Sequence, residues 1–340
     1  MSYLELRSAL RPLLILSLLT TCVRAEECRA AADSVPAAWL VSLPARSDTA
    51  AGGGELAETL NGLNLEAREE KVVHEILAGN VPASWRRFLP IRVSQSIDGK
   101  LCELILFVSP DYLAIGSDAN SLRIPLSPAV AQSVADQLNC LLPTRKMVNS
   151  IYETATIQLA PQPMKPTDEM IQVSYFAKHH KAIEQQLAEK HPRRDSGQLI
   201  AGHKKDVVLT PQLANLQGRV AIFGWHKAID QPIQPLYIGH KDSWVDYSHG
   251  IRLVARHGFL NGIACDLRDV LADSSLHRII SDEGPLARST YAIAFTPEKV
   301  STTDDETTTV LEWSPGVRVW INEPFVYQYF GERAYSELIR

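Results

Sequence analysis

Apolar and polar positions follow two different periods along this chain, and the change of period divides it. Between Leu65 and Leu77, the residues Val72, Val73, Ile76 and Leu77 form an apolar stripe of helical spacing, and Gly79-Asn80 is a stop signal. This predicts a helix from Asn64 or Leu65 to Leu77. A short helical piece is expected over Trp85–Leu89. Pro90–Ser96 and Leu101–Val108 then alternate as strands do, and Ile97-Asp-Gly-Lys100 between them predicts a hairpin turn. Tyr112–Ile115 and Leu122–Ile124 predict short strands around Gly116-Ser-Asp118.

Ser127-Pro128 predicts a helix start, with serine as cap and proline at the first helical position, running to Leu138 or Asn139. Thr144 is expected to cap a second helix reaching about Ala155. Residues 156–172, rich in Pro and Gln, read as a connector before a polar helix, Gln172–Lys190. From about residue 200 the pattern is β-rich. Asp206–Leu209, Arg219–Phe223, Ile233–Ile238, Trp244–Val245 and Ile251–Val254 predict strands, as do Thr309–Trp313 and Val317–Ile321. One helix is expected from Cys265 or Asp266 to Ala272, and the acidic 302–309 stretch reads as a solvated loop or edge.

The expected fold class is α+β, a mixed α/β N-terminal region followed by a β-rich, mainly antiparallel C-terminal region. The expected division is a signal peptide at 1–25, a flexible lead-in at 26–65, an α/β region at 66–165 and a β-rich region at 166–340. The last two are expected either to stand apart or to share one core. The lead-in follows from Ser47-Asp-Thr-Ala-Ala-Gly-Gly-Gly54, a linker composition.

The signal peptide follows from Arg7 and Arg11, the apolar run Pro12–Val23 and the small-x-small site Val23-Arg24-Ala25. The run is short of the ~20 residues a spanning helix needs. The expectation is a secreted or periplasmic chain without a transmembrane segment after cleavage. A lipoprotein anchored at Cys22 is the variant reading of Leu19-Thr-Thr-Cys22. Over 340 residues, 45% hydrophobic and 21% charged content are globular values, and the net charge is −5. No basic patch interleaves with aromatics, so nucleic acid is not an expected partner. Cys28, Cys102, Cys140 and Cys265 remain after cleavage, and in an oxidising compartment they predict one or two disulfides.

Chemistry-bearing side chains crowd into Gly239-His-Lys-Asp-Ser-Trp-Val-Asp-Tyr-Ser-His-Gly-Ile-Arg252. His240, Asp246 and His249 are ligand types that zinc uses, with one position open for an acidified water. The spacing is not a recognised signature. His226 is excluded from such a set by a simple hairpin, which places it roughly 23 Å from His240 at ~3.3 Å per residue. His203, just before a predicted strand, is the fourth metal candidate. Without metal, His249, Asp246 and His240 would act as base and orienter. Arg252, with Lys204 and Lys205 beside it, would bind a carboxylate or oxyanion, and Tyr247 and Trp244 would position substrate.

A thiol reading rests on chain order. Cys140 near helices, followed by His240 and His249 on a β-rich part, resembles the order in papain-like and NlpC/P60-like peptidases. That resemblance implies a Cys–His hydrolase using Cys140, although the Asp-Cys-Ser/Gly signature of the latter family is missing. Tyr247-Ser-His-Gly-Ile-Arg-Leu253 resembles the Ser-His-Gly-Cys-Ile/Val-Arg motif of L,D-transpeptidases with the cysteine deleted. That cysteine is their nucleophile, so the resemblance implies only that Arg252 faces an anionic group. Ser248 lacks a G-x-S-x-G elbow and should point away from His249. Trp225, Tyr237, Trp244 and Tyr247 suit sugar rings, or equally core packing. Asp111 and Asp118 are a carboxylate pair that turn roles also explain.

The expected function is an exported hydrolase acting on a cell-wall peptide or glycan through the His/Asp cluster. The alternatives are a non-catalytic glycan- or envelope-binding protein and the Cys140 thiol hydrolase.

Overall fold

The computed structural model describes residues 36–191, 197–291, 298–302, 308–314 and 317–322. The expected signal peptide, Cys22, Cys28 and residues 303–307 of the acidic stretch lie outside these. After a short strand β1 (Trp39–Leu40), the chain forms helix α1 (Gly53–Leu60) within the stretch whose composition reads as a flexible lead-in. The glycines serve close packing there. A Cβ on Gly53 would lie 2.3 Å from the Ser121 carbonyl carbon. Asn120 holds the helix start, its backbone carbonyl accepting from Gly53 N–H at 2.8 Å and its side chain from Gly54 N–H at 2.9 Å. Leu56 and Leu60, four apart, are buried.

Helix α2 (Leu65–Leu77) follows, capped by the Asn64 side chain. The expected helical piece at Trp85–Leu89 is a single 3-10 turn at Ser84–Arg86, and strand β2 (Arg87–Ile97) begins at once. It pairs antiparallel with β3 (Lys100–Val108) across Asp98 and Gly99, whose φ values of 50° and 79° suit a tight hairpin. Strands β4 (Ala114–Gly116) and β5 (Ser121–Arg123) pair, then come α3 (Pro128–Gln137), β6 (Cys140–Leu141), α4 (Arg145–Thr154), β7 (Ile157–Gln158) and α5 (Val173–Lys190). Ser127 does not cap α3 through its side chain; its hydroxyl donates to Glu69 instead.

The C-terminal region is β-rich. Strands β8 (Ile200–Ala201), β9 (Lys205–Val207), β10 (Ile222–His226), β11 (Pro232–Tyr237) and β12 (His249–Gly250) lead to β13 (Val254–Ala255), β14 (His257–Leu260) and β15 (Ile263–Asp266). Trp244–Val245, an expected strand, lies in the turn before β12, where Trp244 N–H closes onto the Lys241 carbonyl. Helix α6 (Leu267–Ala272) is capped by Asp266, and strands β16 (Glu298–Thr302), β17 (Thr308–Ser314) and β18 (Val317–Asn322) form an antiparallel meander.

The fold is α+β with mostly antiparallel sheets. One sheet runs β1-β2-β3-β13-β6, with β14 also on β3, so late strands complete the sheet that early strands begin. A second runs β11-β10-β9-β12. One apolar cluster reaches from Val41 to Tyr291. Among the described residues, no helix is long and apolar enough to cross a membrane.

The disulfide expectation fails for the described cysteines. Cys102, Cys140 and Cys265 are all unpaired, being spread over three strands, β3, β6 and β15.

Candidate functional site

The second sheet positions the residues that the sequence nominates. Strands β9 and β12 run parallel with Lys205 opposite His249, and Lys205 N–H donates to the Ser248 carbonyl at 2.8 Å. Side chains alternate along β9, so Lys205 points away from Lys204 and Asp206. Polar groups gather in two sets.

The first, closed set is tied by ion pairs and hydrogen bonds, although His179 Nε2, His203 Nδ1 and Arg252 Nε have no hydrogen-bond partner among the described residues. Arg123 bridges Asp111 at 2.5 Å and Glu184 at 2.7 Å. His203 Nε2 lies 3.1 Å from the other Asp111 oxygen. Burial alone would raise the Asp111 carboxyl, but Arg123 and His203 overrule it and hold it well below the usual range. Burial pushes His203 down to about 4. Lys204 Nζ lies 3.1 Å from His179 Nδ1 and donates to the Tyr247 carbonyl, and burial lowers this lysine to about 7. The Tyr112 hydroxyl donates to Asp206 at 2.7 Å, and burial raises that carboxyl to about 7. Arg252 donates to the Ser109 and Ile200 carbonyls, both at 2.7 Å, and its guanidinium lies 4.3 Å from the centre of the Tyr112 ring.

The second set is only partly paired and reaches the surface. Asp246 accepts from Ser248 N–H at 2.7 Å and Oγ at 2.5 Å on one oxygen, and from Trp244 Nε1 at 3.0 Å on the other. Burial would raise Asp246, but His249 and the Ser248 donors hold it below its ordinary value. His249 is 1% exposed, and neither ring nitrogen has a hydrogen-bond partner. Its Nε2 lies 3.7 Å from Asp246 Oδ2, too far for a hydrogen bond. Burial lowers His249 to about 4, so the ring is neutral near pH 7.

In front of it, the half-exposed ring of His240 stacks on Trp244 at 5.7 Å and 20°, with His249 6.4 Å away. Tyr237, 44% exposed, meets His240 edge-on at 5.0 Å. Lys205 Nζ sits 4.9 Å above the Trp225 ring. Trp225 itself has φ 58°, a conformation costly for a bulky side chain, and its Nε1 donates to the His203 carbonyl at 3.2 Å.

Several nominated residues therefore have other roles. The four metal candidates do not converge: His203 belongs with Asp111 in the closed set, while His240 and His249 stand apart. Among the described residues no three His, Cys, Asp or Glu side chains are placed to hold a metal ion. Arg252, expected to face an anion, is committed to backbone carbonyls and a ring. Lys204 is buried with His179. Tyr247 is buried and binds Met164 through its hydroxyl, which fastens the 164–170 segment to the sheet. Cys140 is buried, its Sγ donates to the Leu138 carbonyl, and burial pushes its thiol well up, so no thiolate is available for the Cys–His reading. Asp118 caps the Ser84 turn. His226 lies opposite Pro232, at the far end of the β10–β11 hairpin from His240.

The residues that reading the sequence missed are the partners. His179 lies on the buried face of α5 with Tyr175, Phe176, Ile183 and Leu187, so its helical spacing was the available signal. Arg123, Tyr112 and Asp206 carried no such signal.

The open set can accept a proton at His249 beside a fixed carboxylate, next to aromatic faces that can hold a ring. The chain matches no protein-family model, no curated protein and no solved structure.

Proposed function

We propose that this chain is an exported hydrolase acting on an extracytoplasmic polymer, with His249 as general base and Asp246 as its orienting carboxylate. The observation that carries the reading is the His249 imidazole, sealed from solvent with both nitrogens unpartnered beside an Asp246 that Ser248 and Trp244 hold in place. An unsatisfied buried polar group costs roughly 1–3 kcal/mol. A neutral imidazole in that position can take a proton from water as the water attacks the substrate, and Asp246 stabilises the imidazolium that forms. The 3.7 Å gap to Asp246 must close in the loaded site, as catalytic hydrogen bonds often do. Ser248 is not the nucleophile in this reading, because its hydroxyl is bonded to Asp246. Substrate reaches His249 only when the rings around it part.

The test is hydrolysis of peptidoglycan and a polysaccharide panel by the purified protein. His249→Ala is expected to lose roughly 10²–10⁴-fold in turnover while keeping its circular dichroism. Activity is expected to fall on the acid side as His249 protonates near its lowered value of about 4. Unchanged turnover in a folded variant would sink the assignment.

A second reading, a non-catalytic glycan-binding protein, is favoured by the half-exposed rings of Tyr237, His240 and Trp244. It predicts that Trp244→Ala loses affinity while His249→Ala keeps it.

A further inference from the structure

The open set has cationic and hydrogen-bonding capacity that no group among the described residues uses. Lys205 Nζ has the Trp225 ring as its contact, and no carboxylate or carbonyl among the described residues bonds it. The nearby carboxylate Asp246 takes its hydrogen bonds from Ser248 and Trp244 instead. Lys205 and His249 are register partners on adjacent parallel strands, so their side chains leave the same face of the sheet about 5 Å apart at the backbone. His249 offers two unpartnered nitrogens there, and the His240 ring stands 6.4 Å from it. Each neutral imidazole can present an N–H, and Lys205 presents an ammonium.

The surroundings say what kind of molecule brings the complementary charge. The His240–Trp244 stack is flat and half-exposed, with Tyr237 at its edge. Such faces take the apolar side of a sugar ring better than an extended peptide, whose recognition needs a row of free backbone groups. The strained backbone of Trp225 holds the ring on which the ammonium rests, a cost that a cation–π contact alone, at ~0.5–1 kcal/mol, does not offset.

We propose that this face binds an acidic glycan, with a sugar ring on the His240–Trp244 stack and the sugar's carboxylate on Lys205. This deepens the hydrolase reading by naming its substrate class. It rests on that reading's view of the face as the substrate site, and not on its chemistry. The binding step makes no covalent bond. Lys205 donates to the carboxylate, while the single N–H of neutral His249 stays toward Asp246 and its other nitrogen keeps the base role.

The probes are two short uronic-acid chains of different stereochemistry, oligogalacturonate and oligomannuronate, and the same chains methyl-esterified. Binding to the full chain is followed by tryptophan fluorescence, since Trp225 and Trp244 both border the site. At least one acid chain is expected to bind, more weakly as salt is raised, and about tenfold or more tighter than its ester. Lys205→Met, which keeps the apolar stem over Trp225, is expected to erase that preference, and Lys205→Arg to restore most of it. Equal binding of acid and ester, no binding of either acid chain, or an unchanged preference in a folded Lys205→Met variant would each overturn the proposal. A C-terminal peptide carboxylate binding in place of both sugar acids would overturn it as well. Turnover is scored separately. Lys205-dependent binding without hydrolysis leaves the acidic-glycan site standing and removes the hydrolase, whereas His249-dependent hydrolysis of uncharged chains does the reverse.

Discussion

One set of polar side chains around β9 is tied together by ion pairs; on the side that Lys205 faces, the neutral His249 and Lys205 have no such pair among the described residues. Both sides hold histidines beside an aspartate and a lysine, so composition does not separate them. Hydrogen bonding does. Arg123, Asp111, Glu184 and His203 bond one another and Arg252 closes onto two carbonyls, which leaves His203 Nδ1 and Arg252 Nε as single unpartnered atoms on otherwise bonded side chains. Among the described residues, no side chain hydrogen-bonds His249 or Lys205. A satisfied buried network fixes a fold, while an unsatisfied one raises the question of what completes it. The two sides should therefore respond to substitution in opposite ways.

The largest expected effect is on the closed side. Arg123→Met leaves Asp111 and Glu184 facing each other without their shared cation, and should cost about 3–5 kcal/mol in urea unfolding. A loss under about 1 kcal/mol would mean that solvent reaches this network, and the contrast with the open side would collapse.

Acid comes next, because it acts on both sides at once. His203, His226 and His249 are held near 4 and His180 near 3 by burial, against 6.5 in the unfolded chain. Between those values the unfolded chain binds more protons, so the stability these groups contribute is present above about pH 6.5 and lost as pH falls through 4. Glu69 and Asp206, both raised by burial to about 7, have the opposite sign: their contribution is present below their unfolded values near 4 and lost as pH rises through 7. The histidines outnumber them, so stability should drop by on the order of 3 kcal/mol or more from about pH 7 to 4. Urea midpoints across that range check it, and a flat profile would mean that the histidines are not held neutral by burial.

How far the sequence reveals this arrangement depends on whether the signal is local. The β2–β3 hairpin was readable because Asp98-Gly99 needs only its own backbone freedom, and α2 and α4 because Asn64 and Thr144 cap their own first turns. The crowding at 239–252 falls on and beside the second sheet. It did not show which side chains face the surface, since that depends on partners far along the chain: Lys204 meets His179, and Arg252 meets Ser109 and Ile200. Trp225 gave no sign of its positive φ. The Gly52-Gly-Gly54 run misled most, because glycine for flexibility and glycine for close approach are spelled alike. Gly53→Ala should separate them: a Cβ there meets the backbone of Ser121 and should cost about 1–3 kcal/mol. At Gly54 the nearest atom is 3.6 Å away, so Gly54→Ala should stabilise by up to about 1 kcal/mol through helix propensity. Equal effects at the two positions would favour the linker reading.

The smallest expected change in stability is the one that bears most directly on the open side. His249→Phe replaces an imidazole whose two nitrogens have no partner with a ring of similar shape and no polar atoms. Removing an unsatisfied buried group offsets the slight overpacking, so the unfolding free energy should stay within about 1 kcal/mol of the parent or rise. A loss of about 3 kcal/mol or more would show that His249 is bonded in solution, by an ordered water for example, and belongs with the closed network. An unchanged or raised stability together with lost turnover would mean the opposite: the protein carries the unpaired imidazole at a cost in stability, and the ligand supplies its missing partner.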